Sequence, residues 1–152
     1  MAISKEFQIR FKELVGELGL KNKTEIAERM GITYATFAKI FNYGIYPTVP
    51  ILIRIADFFG VSIEYLVGNT ETEKFMKSDA PIKFTERLEE LKLSKGISTT
   101  YELAQRIHIH RNNIAQWLKH DYIPSLDDLI LIADYFDVTL DYLLGRTDDV
   151  SI

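Results

Sequence analysis

The stretch YELAQRIHIHRNNIAQWL, residues 101–118, contains two short segments of helical periodicity that are separated by only about three residues. Its apolar residues recur at spacings of three and four, at Leu103, Ala104, Ile107, Ile114, Trp117 and Leu118. Two helices joined so tightly, with the small side chain of Ala104 allowing close approach, are typical of a helix-turn-helix unit. A plain helical bundle would produce the same periodicity, so the pattern alone leaves both architectures open.

The same pattern occurs twice in the chain. IADFFGVSIEYLVGNT, residues 55–70, recurs as IADYFDVTLDYLLGRT, residues 132–147, and the pairing extends back without a gap to Phe7 and Phe84. About a third of the paired positions are identical, which indicates an internal repeat. We therefore predict two similar domains, at 1–70 and 84–152. The segment ETEKFMKSDAPIK, residues 71–83, interrupts the apolar pattern and is predicted to be the linker.

Each repeat is predicted to form five short helices and no sheet, because no alternation of period two is present. The second helix should span about 23–30 and 100–107, and the third about 34–42 and 111–119. Asn22 with Glu25, and Thr99 with Glu102, have the spacing of a capping box. Further helix ends are indicated by residues of N-cap or C-terminal type, at Ser125, Thr139, Gly68 and Gly145. The expected fold is all-α.

Composition excludes several classes of function. The 152 residues are 47% hydrophobic and 26% charged, as in a folded protein, and no run of about 18 apolar residues is long enough to cross a membrane. We therefore expect an intracellular, cytoplasmic protein. The absence of cysteine excludes a disulfide framework, a thiolate metal site and a cysteine nucleophile. The net charge of −4 argues against a protein that binds polyanions over its whole surface.

Two histidines precede the polar stretch at 111–113. His108 and His110 are two residues apart and lack a third partner at metal-ligand spacing, so we expect no metal site. His108 pairs with Gly31 in the repeat, which predicts a turn residue with left-handed backbone. No phosphate-binding glycine loop and no serine nucleophile motif is present. We predict neither catalytic residues nor a cofactor.

Each repeat resembles the helix-turn-helix domain of the Xre-like phage repressor and Cro family, and the second repeat resembles it more closely. The resemblance rests on YELAQRIHIHRNNIAQWL, then the proline turn YIPSLDDLILIADYF, then the ending VTLDYLLGRTD. It covers nearly the whole chain outside 71–83. It implies two tandem lambda-repressor-like domains in a bacterial or phage-encoded regulator that binds an operator in double-stranded DNA, with helix three in the major groove.

The resemblance also implies which residues face the bases. In the second repeat these positions near the start of helix three are Arg111, Asn112 and Gln116, with Asn113 beside them. Arginine can bridge O6 and N7 of guanine, and asparagine or glutamine can bridge N6 and N7 of adenine. The matching positions of the first repeat are Tyr34, Ala35, Thr36 and Lys39. Only the lysine among them has a charge suited to the groove.

Phosphate contacts are implied at the start of helix two and after helix three. The matching residues are Asn22, Lys23 and Asn42 in the first repeat, and Thr99, Thr100 and Lys119 in the second. Residues 1–71 contain 8 basic and 8 acidic side chains, and residues 72–152 contain 10 and 14. Asp121, in the second loop, would repel a phosphate. Since few phosphate contacts are available, we expect modest affinity and a shallow salt dependence.

Two classes of function remain open. One is a sequence-specific regulator, in which the two repeats act as an intrachain pseudo-dimer, or in which only the second reads bases while the first associates, as in a homodimer. The other is a protein-binding module on the same fold, such as an antirepressor or another phage-encoded inhibitor. The aromatic residues of the first repeat, among them Phe37, Phe41 and Tyr46, exceed what a small domain can readily bury and favour a protein partner.

Overall fold

A computed structural model describes residues 3–151 and divides the chain into two compact units between Phe75 and Met76. The first unit contains α1 (Lys5–Glu17), α2 (Lys23–Met30), α3 (Tyr34–Tyr43), α4 (Val49–Phe59) and α5 (Ile63–Leu66). The second contains α6 (Phe84–Ser94), α7 (Thr100–Ile107), α8 (Arg111–His120), α9 (Leu126–Phe136) and α10 (Leu140–Leu143). No strand occurs within 3–151, where one isolated bridge joins Ile3 to Ile45. The prediction of an all-α fold with five helices per repeat is confirmed.

The helix ends follow the predicted capping residues. The side chains of Asn22 and Thr99 accept hydrogen bonds from the amides of Glu25 and Glu102, at 3.2 and 3.1 Å. The N-cap side chains of Ser125 and Thr139 accept from residues three positions further on, as predicted. Gly68 and Gly145 follow the last helices of their units with φ of 88° and 72°. These local bonds satisfy amides that a helix cannot pair internally, so they fix where each helix begins.

The two cores are built from different side chains. In the first unit Phe7, Phe11 and Phe37 are fully buried, and the rings of Phe11 and Phe37 meet edge to face at 5.3 Å. Much of the aromatic surplus is therefore used inside the unit, while Tyr34 and Tyr43 remain more than half exposed. The second core is mainly aliphatic, and it includes the fully buried Leu88, Leu103, Ile114, Leu129 and Ile132.

Each unit contains the same buried cation, which we call the arginine–tyrosine clamp. Arg10 of α1 lies 4.4 Å from the ring centre of Tyr65 and donates to the carbonyl of that residue. Arg87 of α6 lies 3.8 Å from the ring of Tyr142, and its Nε donates to the carbonyl of Tyr142 at 3.0 Å. Both arginine side chains are less than a tenth exposed. The clamp ties the first helix of each unit to the last.

The segment predicted as a linker bonds to the unit on each side of the division. Glu73 accepts a hydrogen bond from the hydroxyl of Tyr65 at 3.2 Å. Beyond the division, the amide of Ser78 donates to the carbonyl of Arg146 at 2.9 Å. A Cβ at Gly145 would collide with the carbonyl of Ile82, so the close approach of this segment requires glycine there. Phe75 is half-buried, whereas Met76 is 74% exposed.

Candidate nucleic-acid interface

The turn before α8 sets the direction of that helix. His108 ends α7 in the left-handed region, with φ 58° and ψ 38°, which confirms the prediction from its pairing with Gly31. The amide of Ile109 then donates to the carbonyl of Ala104 at 3.2 Å, and the Ile109 side chain is buried. Ala104 and Ile109 are both in the core, and α7 packs directly on α8 although only three residues join the two helices.

His110 is the N-cap of α8, a role that was not predicted from the sequence. Its Nδ1 accepts a hydrogen bond from the amide of Asn112 at 3.1 Å. The internal repeat contained the signal, because His110 pairs with Thr33, whose hydroxyl accepts from the amide of Thr36 at 3.1 Å. Within the described residues there is no group of three or more histidines and carboxylates arranged to hold a metal ion. His108 and His110 lie on either side of Ile109, where the first ends α7 and the second caps the start of α8.

Helix α8 separates its buried face from its exposed face. Ile114 is fully buried and Trp117 is 6% exposed, with the indole edge to face against Phe84 at 5.9 Å. Leu118, expected in the core, is only half-buried. The opposite face carries four exposed polar side chains that we call the reader cluster, namely Arg111, Asn112, Asn113 and Gln116. Asn112 and Asn113 lie four and three residues before Gln116 and are its neighbours on the helix surface, and Arg111 precedes them in the first turn.

The reader cluster is unengaged within the part of the chain that the structure describes. Its four side chains make no hydrogen bond or ion pair with residues 3–151. Helix α8 also contains no acidic residue, although the second half of the chain is acidic overall. Unpaired donors and acceptors on a helix whose other face is buried can form hydrogen bonds with the edges of base pairs, because those edges present matching groups in the major groove.

The corresponding surface of the first unit is different in chemistry. On α3, Tyr34 and Lys39 are exposed, Ala35 is exposed, and Thr36 is half-buried. The hydroxyl of Thr36 already bonds to that of Thr33 at 3.0 Å. Lys39 is therefore the principal polar group that this face offers, while the tyrosine ring and the small side chains offer apolar contact.

The predicted phosphate contacts lie at helix ends. Asn22 and Thr99 are N-caps whose side-chain oxygens are occupied by backbone amides, and Thr100 is a half-buried first residue of α7. Asn42 and Lys119 are exposed near the ends of α3 and α8. The Nζ of Lys23 lies 4.1 Å from the ring centre of Phe41, so this ammonium group rests on an aromatic face at the start of α2.

Asp121 has a structural role that offsets its negative charge. It ends α8 with φ 54°, and its carboxylate accepts from the hydroxyl of Thr85 at 2.8 Å and from Nζ of Lys83 at 3.4 Å. These hydrogen bonds, that of Thr85 first, hold the pKa of the Asp121 carboxyl below its ordinary value. The carboxylate of Asp121 is thus paired with Lys83 and Thr85 at the start of α6. These contacts were not predicted from the sequence.

The paired helices α2–α3 and α7–α8 define a helix-turn-helix protein. A family model described as helix-turn-helix matches residues 11–66 and again 86–143, together about three quarters of the chain. The chain therefore belongs to the Xre-like helix-turn-helix family of transcriptional regulators, present here in two tandem copies.

Three curated bacterial proteins are similar to part of the chain. The regulator ImmR of Bacillus subtilis is 34% identical over 65 residues, which are 43% of this chain and 50% of that protein. The uncharacterized regulator YobD of Bacillus subtilis is 33% identical over 66 residues, or 43% of this chain and 58% of YobD. The transcriptional activator BcrR of Enterococcus faecalis is 28% identical over 71 residues, or 47% of this chain and 34% of BcrR.

The matched segments therefore span between about a third and three fifths of these relatives. No solved structure is significantly similar to the chain. Within residues 3–151 no helix is long and apolar enough to span a membrane.

Proposed function

We propose that the chain is a sequence-specific, double-stranded DNA-binding regulator of the prophage or bacterial repressor type, and that it reads its operator chiefly with α8. The observation that supports this most is the reader cluster, which is exposed and unpaired on a helix whose other face is buried by Ile114 and Trp117. The family membership supports DNA binding in general. The exposed, unpaired cluster supports α8 as the reading helix.

The side chains of the reader cluster favour a half-site that contains both guanine and adenine. Arg111 suits a guanine, and Asn112, Asn113 and Gln116 suit adenines, each bidentate pair contributing about 1–3 kcal/mol of discrimination. The first unit offers Lys39 with Tyr34 and Ala35, whose apolar groups suit thymine methyls. Because the two surfaces differ, an intrachain pseudo-dimer would recognise two unlike half-sites, whereas a homodimer through the first unit would recognise two like ones.

Selection of bound fragments from random duplex DNA tests the proposal. We expect an enriched motif that contains a guanine next to adenines. The double variant Arg111→Ala with Asn112→Ala should lose selective retention of that motif while its far-UV circular dichroism stays unchanged. Lys77→Ala is the matched control, since it also removes an exposed positive charge but lies outside α8. Selective binding that survives the double variant would refute the assignment of α8.

A protein-binding role is the second candidate. The exposed rings of Tyr34 and Tyr43 on α3 and the acidic balance of residues 72–152 support it. It predicts no enriched DNA motif, together with saturable binding to one protein that is lost on Tyr34→Ala or Tyr43→Ala. An enriched motif that depends on Arg111 would exclude this role as the main one.

A further inference from the structure

A pocket of about 340 Å³ lies in the first unit, between the C-terminal half of α3 and the start of α4. Its walls are mainly apolar and come from Ile40, Ile45, Tyr46, Pro47 and Ile51. Lys39 is the cationic side chain that lines it. The volume is at the lower end of the roughly 300–1,000 Å³ that is usual for small-molecule pockets. The size therefore suits a small organic ligand.

The walls of the pocket are held in place by the core. Ile40 is fully buried. The ring of Tyr46 is stacked on that of the fully buried Phe7, with centroids 4.8 Å apart. Gly44, immediately before this loop, adopts φ 66°, and a Cβ there would come within 2.5 Å of the carbonyl oxygen of Ser4. The pocket is thus preformed, and a ligand would lose little free energy in ordering it.

The charge of the pocket is uncompensated. Lys39 is exposed, and its ammonium group makes no ion pair or hydrogen bond with the described residues. An apolar cavity beside a single free cation is complementary to an apolar molecule with one negative group. A carboxylate fits best, because it accepts a charge-assisted hydrogen bond from the amine while the rest of the molecule is buried.

The second repeat has different side chains at the same positions. Where the first unit has Lys39, Ile40 and Ile51, the second has a neutral glutamine, a large indole and an acid, at Gln116, Trp117 and Asp128. The indole of Trp117 packs on Phe84 at 5.9 Å. The second repeat therefore has no cation at the position of Lys39 and has an acid at the position of Ile51, so it lacks the side chains that make the first unit complementary to a carboxylate.

We propose that the first unit binds a small monocarboxylate with an apolar body in this pocket, with its carboxylate on Lys39. The proposal does not depend on the proposed DNA binding, since it concerns the pocket alone. It does have a consequence for α3: Lys39 is also a predicted base reader, so a bound carboxylate would neutralise it.

Octanoate, 1-octanol and octylammonium are suitable probes, because they share one chain and differ in head-group charge. Titrated into the full chain and followed by backbone amide NMR, octanoate should give saturable shifts concentrated at residues 36–51. 1-Octanol should bind more weakly and octylammonium weakest. Lys39→Gln, which introduces the residue of the second repeat, should weaken octanoate binding about threefold to tenfold and leave 1-octanol unaffected. Lys77→Gln is the matched control and should change neither.

A second variant tests the pocket without touching its charge. Ile40→Trp, again the residue of the second repeat, should fill the cavity and remove the binding of both octanoate and 1-octanol. If that variant unfolds, Ile51→Phe fills the cavity from a half-buried wall position. Three results would each overturn the proposal: no saturable shift at 36–51, octylammonium binding as tightly as octanoate, or octanoate affinity unchanged in Lys39→Gln. Equal binding of octanoate and 1-octanol would also overturn it, in favour of an uncharged apolar occupant.

Discussion

His108 adopts a backbone conformation that costs an ordinary residue free energy. A left-handed conformation costs a residue with a Cβ about 1–2 kcal/mol, and its counterpart Gly31 avoids this cost. His108→Gly should therefore stabilise the second unit by up to about 1 kcal/mol, whereas the branched His108→Val should destabilise it. Chemical denaturation followed by tryptophan fluorescence measures both. A glycine variant less stable than the natural protein would show that the histidine side chain contributes more than the backbone cost.

His110 contributes through its ring nitrogen. Removing a side chain that caps a helix N-terminus costs about 0.5–2 kcal/mol. His110→Ala should lose this amount, and His110→Thr, which introduces the residue of the first repeat, should recover most of it. Equal stability of the alanine and threonine variants in thermal unfolding would rule out the cap as the source of the effect.

Such details of single residues could be predicted only where the paired residue of the other repeat indicated the conformation. The left-handed turn at His108 followed from Gly31, because one conformation has to serve both copies. The partner of Asp121 could not be predicted, since Thr85 is 36 residues away in sequence and the contact depends on how α8 meets α6. The positions of the reader cluster were implied by the family resemblance, and the sequence already placed Ile114 and Trp117 on the core-facing side, where the structure buries them.

At the scale of elements, α8 is fixed at its C-terminal end by the bonds from Asp121 to α6. The pKa of this carboxyl is lowered, so the charged form is favoured in the folded state. The contribution of this carboxylate to the stability of the fold is present at pH values above 3.8, its ordinary pKa. It is lost as the pH falls through the lower pKa of the folded state.

Asp121→Asn keeps a residue that tolerates the left-handed backbone but removes the charge. The variant should be less stable than the natural protein at neutral pH, and the difference should shrink as the pH falls below about 3.8. Thermal unfolding between pH 2 and pH 7 checks this. A difference that is independent of pH would assign the effect to packing instead of charge.

The helices themselves were predictable because their periodicity and caps are local. The pocket beside α3 was not, since it arises where α3, the following loop and α4 leave space between them. The arginine–tyrosine clamp also escaped prediction. Arg10 and Tyr65 are 55 residues apart, and nothing in the local pattern of α1 distinguishes a buried arginine from an exposed one.

For the whole molecule, the division of the chain into two compact units predicts two separable unfolding transitions. Trp117, the single tryptophan, is buried in the second unit and reports on that unit. Leu52→Ala in the first unit should cost about 2–5 kcal/mol there and leave the fluorescence transition in place, while circular dichroism shows an earlier loss of helix. Leu129→Ala is the matched variant in the second unit and should shift the fluorescence. Coincident shifts in both would show that the units unfold as one.

The charge distribution of the whole chain predicts how DNA binding responds to salt. Few cationic side chains lie on the two proposed reading surfaces, chiefly Arg111, Lys119, Lys39 and Lys23. With about 0.9 counterions released per neutralised phosphate, Lys119 and Lys23 give a slope of log K against log salt of about −2, and the slope reaches about −4 only where Arg111 and Lys39 also neutralise a phosphate. Fluorescence anisotropy with the selected duplex at several salt concentrations measures it. A slope steeper than about −6 would require phosphate contacts beyond these residues.

The duplicated clamp bears on how such a chain can evolve. Because Arg10 and Arg87 each tie the ends of their own unit together, neither copy depends on the other for that bond. Since each copy of a duplicated gene segment encodes its own arginine–tyrosine clamp, substitutions can accumulate on the outer surface of one unit without destabilising the other. The contrast between the aromatic core of the first unit and the polar reader cluster of the second is the outcome expected of such divergence.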